Sequence, residues 1–166
     1  LVTSLTATGT THIMKLAIRS LLTIGLGFAL IGTAVASGSE RGRFVLTERV
    51  TSFTPLDLGA PGPSAGDQFT GTGDLFDARG NKVGTSAFTC IVAGPGVSQC
   101  SQVYELSGGK LVTAGTTRPD FTTSPLFDEL LAVTGGTGTY RGASGEVRLV
   151  QHSFTEATLT INLSRR

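Results

Sequence analysis

The chain is 166 residues long, 39% hydrophobic and only 15% charged, with 23 glycines and a formal net charge of +1. So weak a charge offers no field for nucleic acid or for an anionic membrane surface. With His12 ahead of the segment expected to be removed, two cysteines and one histidine, His152, remain, too few for a dedicated His/Cys zinc site, and no metal is expected.

Residues 1–13 carry no structural pattern and are set aside as candidate untranslated upstream sequence. From Met14 the chain reads differently. Lys15 and Arg19 precede an uncharged run from Ser20 to Ser39, apolar from Leu21 to Val35, and Ala34-Val35-Ala36 has the small-residue form of a cleavage signal. Residues 14–36 are therefore predicted to be a signal peptide, making the mature protein secreted or periplasmic with no membrane segment; an uncleaved anchor is the alternative. Losing Lys15 and Arg19 leaves 11 basic against 12 acidic side chains. Residues 37–166 suffice for a single domain with one core.

Eight strand-like runs follow in order: Arg43–Ser52, Asp67–Asp77, Lys82–Val92, Ser98–Ser107, Lys110–Thr116, Leu126–Thr134, Ser144–His152 and Phe154–Leu163. In the first, Phe44, Leu46, Glu48 and Val50 share the more apolar face, which should point inwards. Glu48 is then a carboxylate among hydrophobes. Burial would raise its pKa and turn it into an acid or base useful near neutrality, unless it is a structural Glu bonded by Ser or Thr hydroxyls. Thr54–Gly66, with Pro55, Pro61 and Pro63, and Thr117–Pro125 are predicted as the two long loops at a rim.

Between the other runs the connections are short. Asp77-Ala78-Arg79-Gly80 suits a type I turn and Ser107-Gly108-Gly109 a tight reversal. A turn centred on Pro95 pairs residues whose numbers sum to 190, which sets Cys90 opposite Cys100 and predicts a disulfide between them. That staple orients its neighbours: Phe88, Cys90 and Val92 share one face, as do Cys100, Tyr104 and Leu106 across the hairpin. Pointing inwards, they line a cavity with Phe44 and Leu46; the small residues Gly71, Thr72, Gly73 and Ala87 favour room inside. Consecutive antiparallel strands can close into an eight-stranded antiparallel barrel, with a β-sandwich as the alternative.

Other constellations carry less. Asp67, Asp74 and Asp77 alternate between faces without calcium-loop spacing and suit turns and rims. His152 shares a face with Glu146 and Arg148 and is expected at the surface. No G-x-S-x-G elbow occurs. In the last run Ala157, Leu159, Ile161 and Leu163 share one face with Phe154 on the other, so one face is core and an apolar exterior is conceivable.

The segment Leu130–Val150, LLAVTGGTGTYRGASGEVRLV, sets five glycines (Gly135, Gly136, Gly138, Gly142, Gly145) between two strands, without the spacing of a phosphate loop. Leu131–Leu149 resembles a string of the allene oxide cyclase and dirigent-like barrels, L-A-V/I-T-G-G-x-G-x-[FY]-x-G-x-x-G-x-V-x-L. Gly73-Asp74-Leu75, Gly80, Val83-Gly84 and Cys90 are similar to the family's second and third strands, so the resemblance spans roughly Arg43 to Leu163. It implies an all-β barrel that binds an apolar small molecule and steers its cyclisation or isomerisation without a cofactor, in a dimer or trimer. The resemblance also places Glu48 as the working carboxylate, with Thr47 where the plant cyclases carry Asn, and Ser144 where dirigent proteins carry Arg. Expected ligand contacts are Phe44, Leu46, Phe88 and Tyr104. A non-catalytic secreted carrier or scaffold is the rival function.

Overall fold

The computed structural model describes residues 42–62, 64–120 and 126–164. The predicted signal peptide and the segment before it lie outside these residues. Eight strands follow one another: β1 (Gly42–Leu56), β2 (Gln68–Phe76), β3 (Lys82–Gly94), β4 (Val97–Leu106), β5 (Gly109–Thr117), β6 (Phe127–Gly136), β7 (Ser144–Ser153) and β8 (Glu156–Ser164). Each pairs antiparallel with the next, and β8 returns to β1 from Gly42↔Leu163 to Arg49↔Glu156, closing the barrel. Closure gives every strand a partner on each side, so the sheet has no edge strand, although the ladders are staggered along β1 and β6. No helix among the described residues is long and apolar enough to cross a membrane.

The turns form for the reasons their residues suggest. At the β2–β3 reversal Asp77 Oδ1 accepts the backbone N–H groups of Arg79 and Asn81, both at 2.9 Å, holding its carboxyl below the usual range. Ser107 and Gly108 turn β4 into β5, with Leu106 facing Gly109. Cys90 and Cys100 lie opposite each other and are disulfide-bonded. The glycine knot becomes a 3₁₀ turn, Gly138–Tyr140, folded over the β4–β5 reversal. Gly138 (φ +60°) is packed so closely against the Gly108 carbonyl that a Cβ would collide with it.

Several strand ends differ from expectation by a residue or two, as where β8 begins at Glu156 rather than Phe154, and the end of β1 differs most. β1 does not end before Pro55 but continues to Leu56, because Ser52–Leu56 still pairs with β2 after a bulge between Val50 and Ser52. The β8 ladder has already ended at Arg49, so on that side Pro55 has no neighbouring strand to which a donor would be owed.

The interior has two halves. Towards the glycine knot, Leu46, Leu75, Tyr104, Leu111, Leu131, Val147, Leu159 and Ile161 fill the barrel, with Phe44 packed against them. The apolar face of β8 is part of this core: Ala157, Leu159 and Ile161 are wholly buried, and the exposed apolar residue is Phe154. That strand therefore supplies no apolar exterior for a partner.

Candidate functional site

The other half of the barrel is hollow. A cavity of about 890 Å³ opens among the ends of the strands that carry the β1–β2 and β5–β6 loops and the β3–β4 and β7–β8 hairpins. This is the volume of a small-molecule site. Val50, Phe69, Phe88, Val92, Leu126, Phe127 and Leu149 are among the apolar residues of its wall, and the Cys90–Cys100 disulfide forms part of it. Phe53 and Phe69 meet at the mouth as tilted rings, centres 5.7 Å apart.

The long β1–β2 loop is tied down rather than trailing. Asp67 accepts the N–H groups of Leu58 (3.0 Å) and Ser64 (2.6 Å), and these donors keep its carboxyl below the usual range. Backbone bonds from Gly66 N–H to the Val92 carbonyl and from Val92 N–H to the Asp67 carbonyl fasten the same loop to β3.

Glu48 stands between the filled and hollow halves, 2% exposed and in the cavity wall. Its Oε1 accepts a short hydrogen bond from Ser86 Oγ, and Gln102 Nε2 donates to both carboxyl oxygens at 2.8 and 2.9 Å. The Gln102 carbonyl oxygen in turn accepts the Tyr104 hydroxyl at 2.9 Å. Because a tyrosine hydroxyl occupies the amide's oxygen end, the amide's nitrogen end faces Glu48. Burial pushes the Glu48 carboxyl above its ordinary pKa, and the bonds from Ser86 and Gln102 only partly oppose that rise. Tyr104, wholly buried and near the same carboxylate, is pushed further into its protonated form.

Two inward glycines make this arrangement fit. A Cβ on Gly73 would stand 2.7 Å from Ser86 Oγ and 3.1 Å from Glu48 Cγ; one on Gly71 would press into the Phe88 ring. The small residues expected to leave room for a ligand thus leave it for Glu48, Ser86 and Phe88. Thr72 and Ala87 point outwards.

The expected ligand contacts separate. Phe88 lines the cavity. Phe44, Leu46 and Tyr104 face inwards but belong to the packed half, and Tyr104 reaches the cavity floor only through Gln102. Their strand positions lie on the glycine-knot side of Glu48, where β8 fills the space. His152 is exposed and bonded to Thr158 Oγ1 at 2.8 Å, away from the cavity lining. Asp74 pairs with Lys82 at 2.7 Å.

Sequence reasoning passed over Ser86 and Gln102. The signal was available, because the 190 register that opposes the cysteines also sets Ser86 beside Tyr104 and puts Gln102 on the face of Cys100 and Tyr104.

Chemically, the floor offers one carboxyl of raised pKa held by three donated bonds, beneath an apolar chamber. It can protonate, deprotonate or orient one polar group of a molecule whose remainder is shielded from water.

Three solved structures of the same shape are distant in sequence. "Pyocyanin demethylase" superposes with a TM-score of 0.60 at 21% identity, covering 70% of this chain and 97% of the other. A "nonspecific heme-binding cyclase" that "catalyzes [4 + 2] cycloaddition during neoabyssomicin biosynthesis" gives 0.58 at 22%, covering 76% and 66%. The Diels-Alderase of Streptomyces koyangensis gives 0.60 at 19%, covering 75% and 64%, so the chain spans about two thirds of that protein. No curated protein matches the sequence significantly. The domain family described as "Allene oxide cyclase barrel like domain" matches residues 47–163, from the strand that carries Glu48 to the last core residue of β8, and the chain belongs to that family.

Proposed function

We propose that the barrel binds an apolar small molecule in its hollow half and steers an intramolecular cyclisation or isomerisation there, with Glu48 as the acid–base group. The observation that carries this reading is the buried carboxyl on the floor of a largely apolar cavity of about 890 Å³. Such a reaction gains most from a wall that selects one folded conformer of the substrate, and the rest from a single group that meets the charge developing in it. Protonated Glu48 gives its proton to a developing oxyanion, or the carboxylate removes one; in an isomerisation the proton returns by the end of the cycle. Membership of the family and its cyclase neighbours support this class of work. The leader pattern in residues 14–36 and the disulfide support export to an oxidising compartment.

A carrier function has its own support, since both carboxyl oxygens of Glu48 accept hydrogen bonds within the protein. A thermal-shift screen of terpenoids, phenolics and polyenes, followed by product analysis of each hit, separates the two. The enzyme reading expects a hit that is converted, and Glu48→Gln is expected to lower turnover by about 10²–10⁴-fold while lowering affinity far less. Hits without product would leave a carrier, and equal turnover by the variant would take the acid–base role away from Glu48.

A further inference from the structure

The charges around the cavity have one sign. The ionisable side chains among its described lining residues are Glu48, Asp57 and Asp67, and none is Lys, Arg or His. Residues 63 and 121–125, outside the described set, add no charge in sequence. The nearest arginines in sequence turn outwards: Arg118 pairs with Glu129 at 3.6 Å, and Arg49 pairs with Glu156 at 3.6 Å while lying over the Phe76 ring.

Glu48 itself is built as an acceptor. Among the described residues its hydrogen bonds are accepted from Ser86 and Gln102; Oε1 takes two and Oε2 takes one, which leaves Oε2 the less occupied oxygen. Among the described residues the carboxylate has donors but no counter-ion. A ligand carboxylate entering here would be desolvated beside like charges with nothing to pair it, whereas a ligand cation would supply the missing partner in a low-dielectric setting.

We propose that the cavity sorts apolar molecules by charge, taking one with a hydrophobic body and a cationic nitrogen seated against Glu48 and excluding those that end in a carboxylate. The inference deepens the reading of the cavity as a ligand site and rests on it.

Three probes of one skeleton test it: 1-naphthylmethylamine, 1-naphthalenemethanol and 1-naphthoate, titrated calorimetrically into the protein at pH 7. The ammonium probe is expected to bind about tenfold tighter than the alcohol, with the carboxylate weakest. In Glu48→Gln the ammonium-to-alcohol ratio is expected to fall to about one. A carboxylate that binds as tightly as the ammonium in the unmodified protein overturns the charge rule alone, as does a variant that keeps the ammonium preference. Failure of all three probes to bind overturns the ligand-site reading together with the inference.

Discussion

At the scale of single residues, the account turns on how Glu48 is held. Tyr104 does not touch Glu48 through any hydrogen bond, yet by occupying the Gln102 carbonyl it fixes which end of that amide the carboxyl meets. Tyr104→Phe frees the amide to turn over, and an amide oxygen facing Glu48 repels its charge. The variant is therefore expected to titrate Glu48 at a still higher pH than the unmodified protein. Carbon-13 NMR of the Glu48 carboxyl is the measurement; an unchanged midpoint would mean that the amide orientation is held by something else. Glu48 was legible in the sequence because strict alternation in β1 put it on the apolar face. Its partners were harder to see, because Ser86 and Gln102 come from two other strands and are ordinary polar residues until the register of the β3–β4 hairpin is fixed.

Among the elements, the β3–β4 hairpin ties the sequence most directly to the site. Its Pro95-Gly96 turn, together with a bulge between Val92 and Gly94, sets the register that opposes the cysteines, and the staple stands in the cavity wall beside Cys100's neighbour Thr117. Cys90→Ser with Cys100→Ser is expected to cost about 3 kcal/mol in denaturant unfolding, the loop-closure value for so short a loop. A loss near zero would show that the turn and ladder alone set the register. All eight strands were legible, because glycine- and proline-rich turns punctuate alternating runs. The bulge after Val50 and the run of β1 through Pro55 were not, since both depend on which edge of β1 has a partner. Nor did the sequence reveal that the barrel fills unevenly; inward residues near the glycine knot and near the mouth alternate in the same way, and only the packing of β8 against Leu46 and Tyr104 separates them.

For the whole molecule, the division into a packed half and a hollow half has a thermodynamic signature. Glu48 has a folded-state pKa above its ordinary value near 4.5, so folding favours its protonated form. Its contribution to stability is fully present below that ordinary value and is lost as pH rises through the higher folded midpoint. Asp67, Asp77 and Asp128 have depressed values and act oppositely, contributing above about pH 3.8 and losing that contribution as pH falls through their folded midpoints. Stability measured by urea unfolding is thus expected to decline on the alkaline side of pH 4.5, and Glu48→Gln is expected to flatten that decline. A variant with the same slope as the unmodified protein would place the decline elsewhere.

The most direct test is a diffraction map of the barrel crystallised with 1-naphthylmethylamine. The account predicts ring density in the chamber lined by Phe88 and Leu149, with the amine nitrogen within hydrogen-bonding distance of Glu48 Oε2. A chamber closed by its own side chains, or a probe bound only on the outer surface with Glu48 untouched, would contradict it.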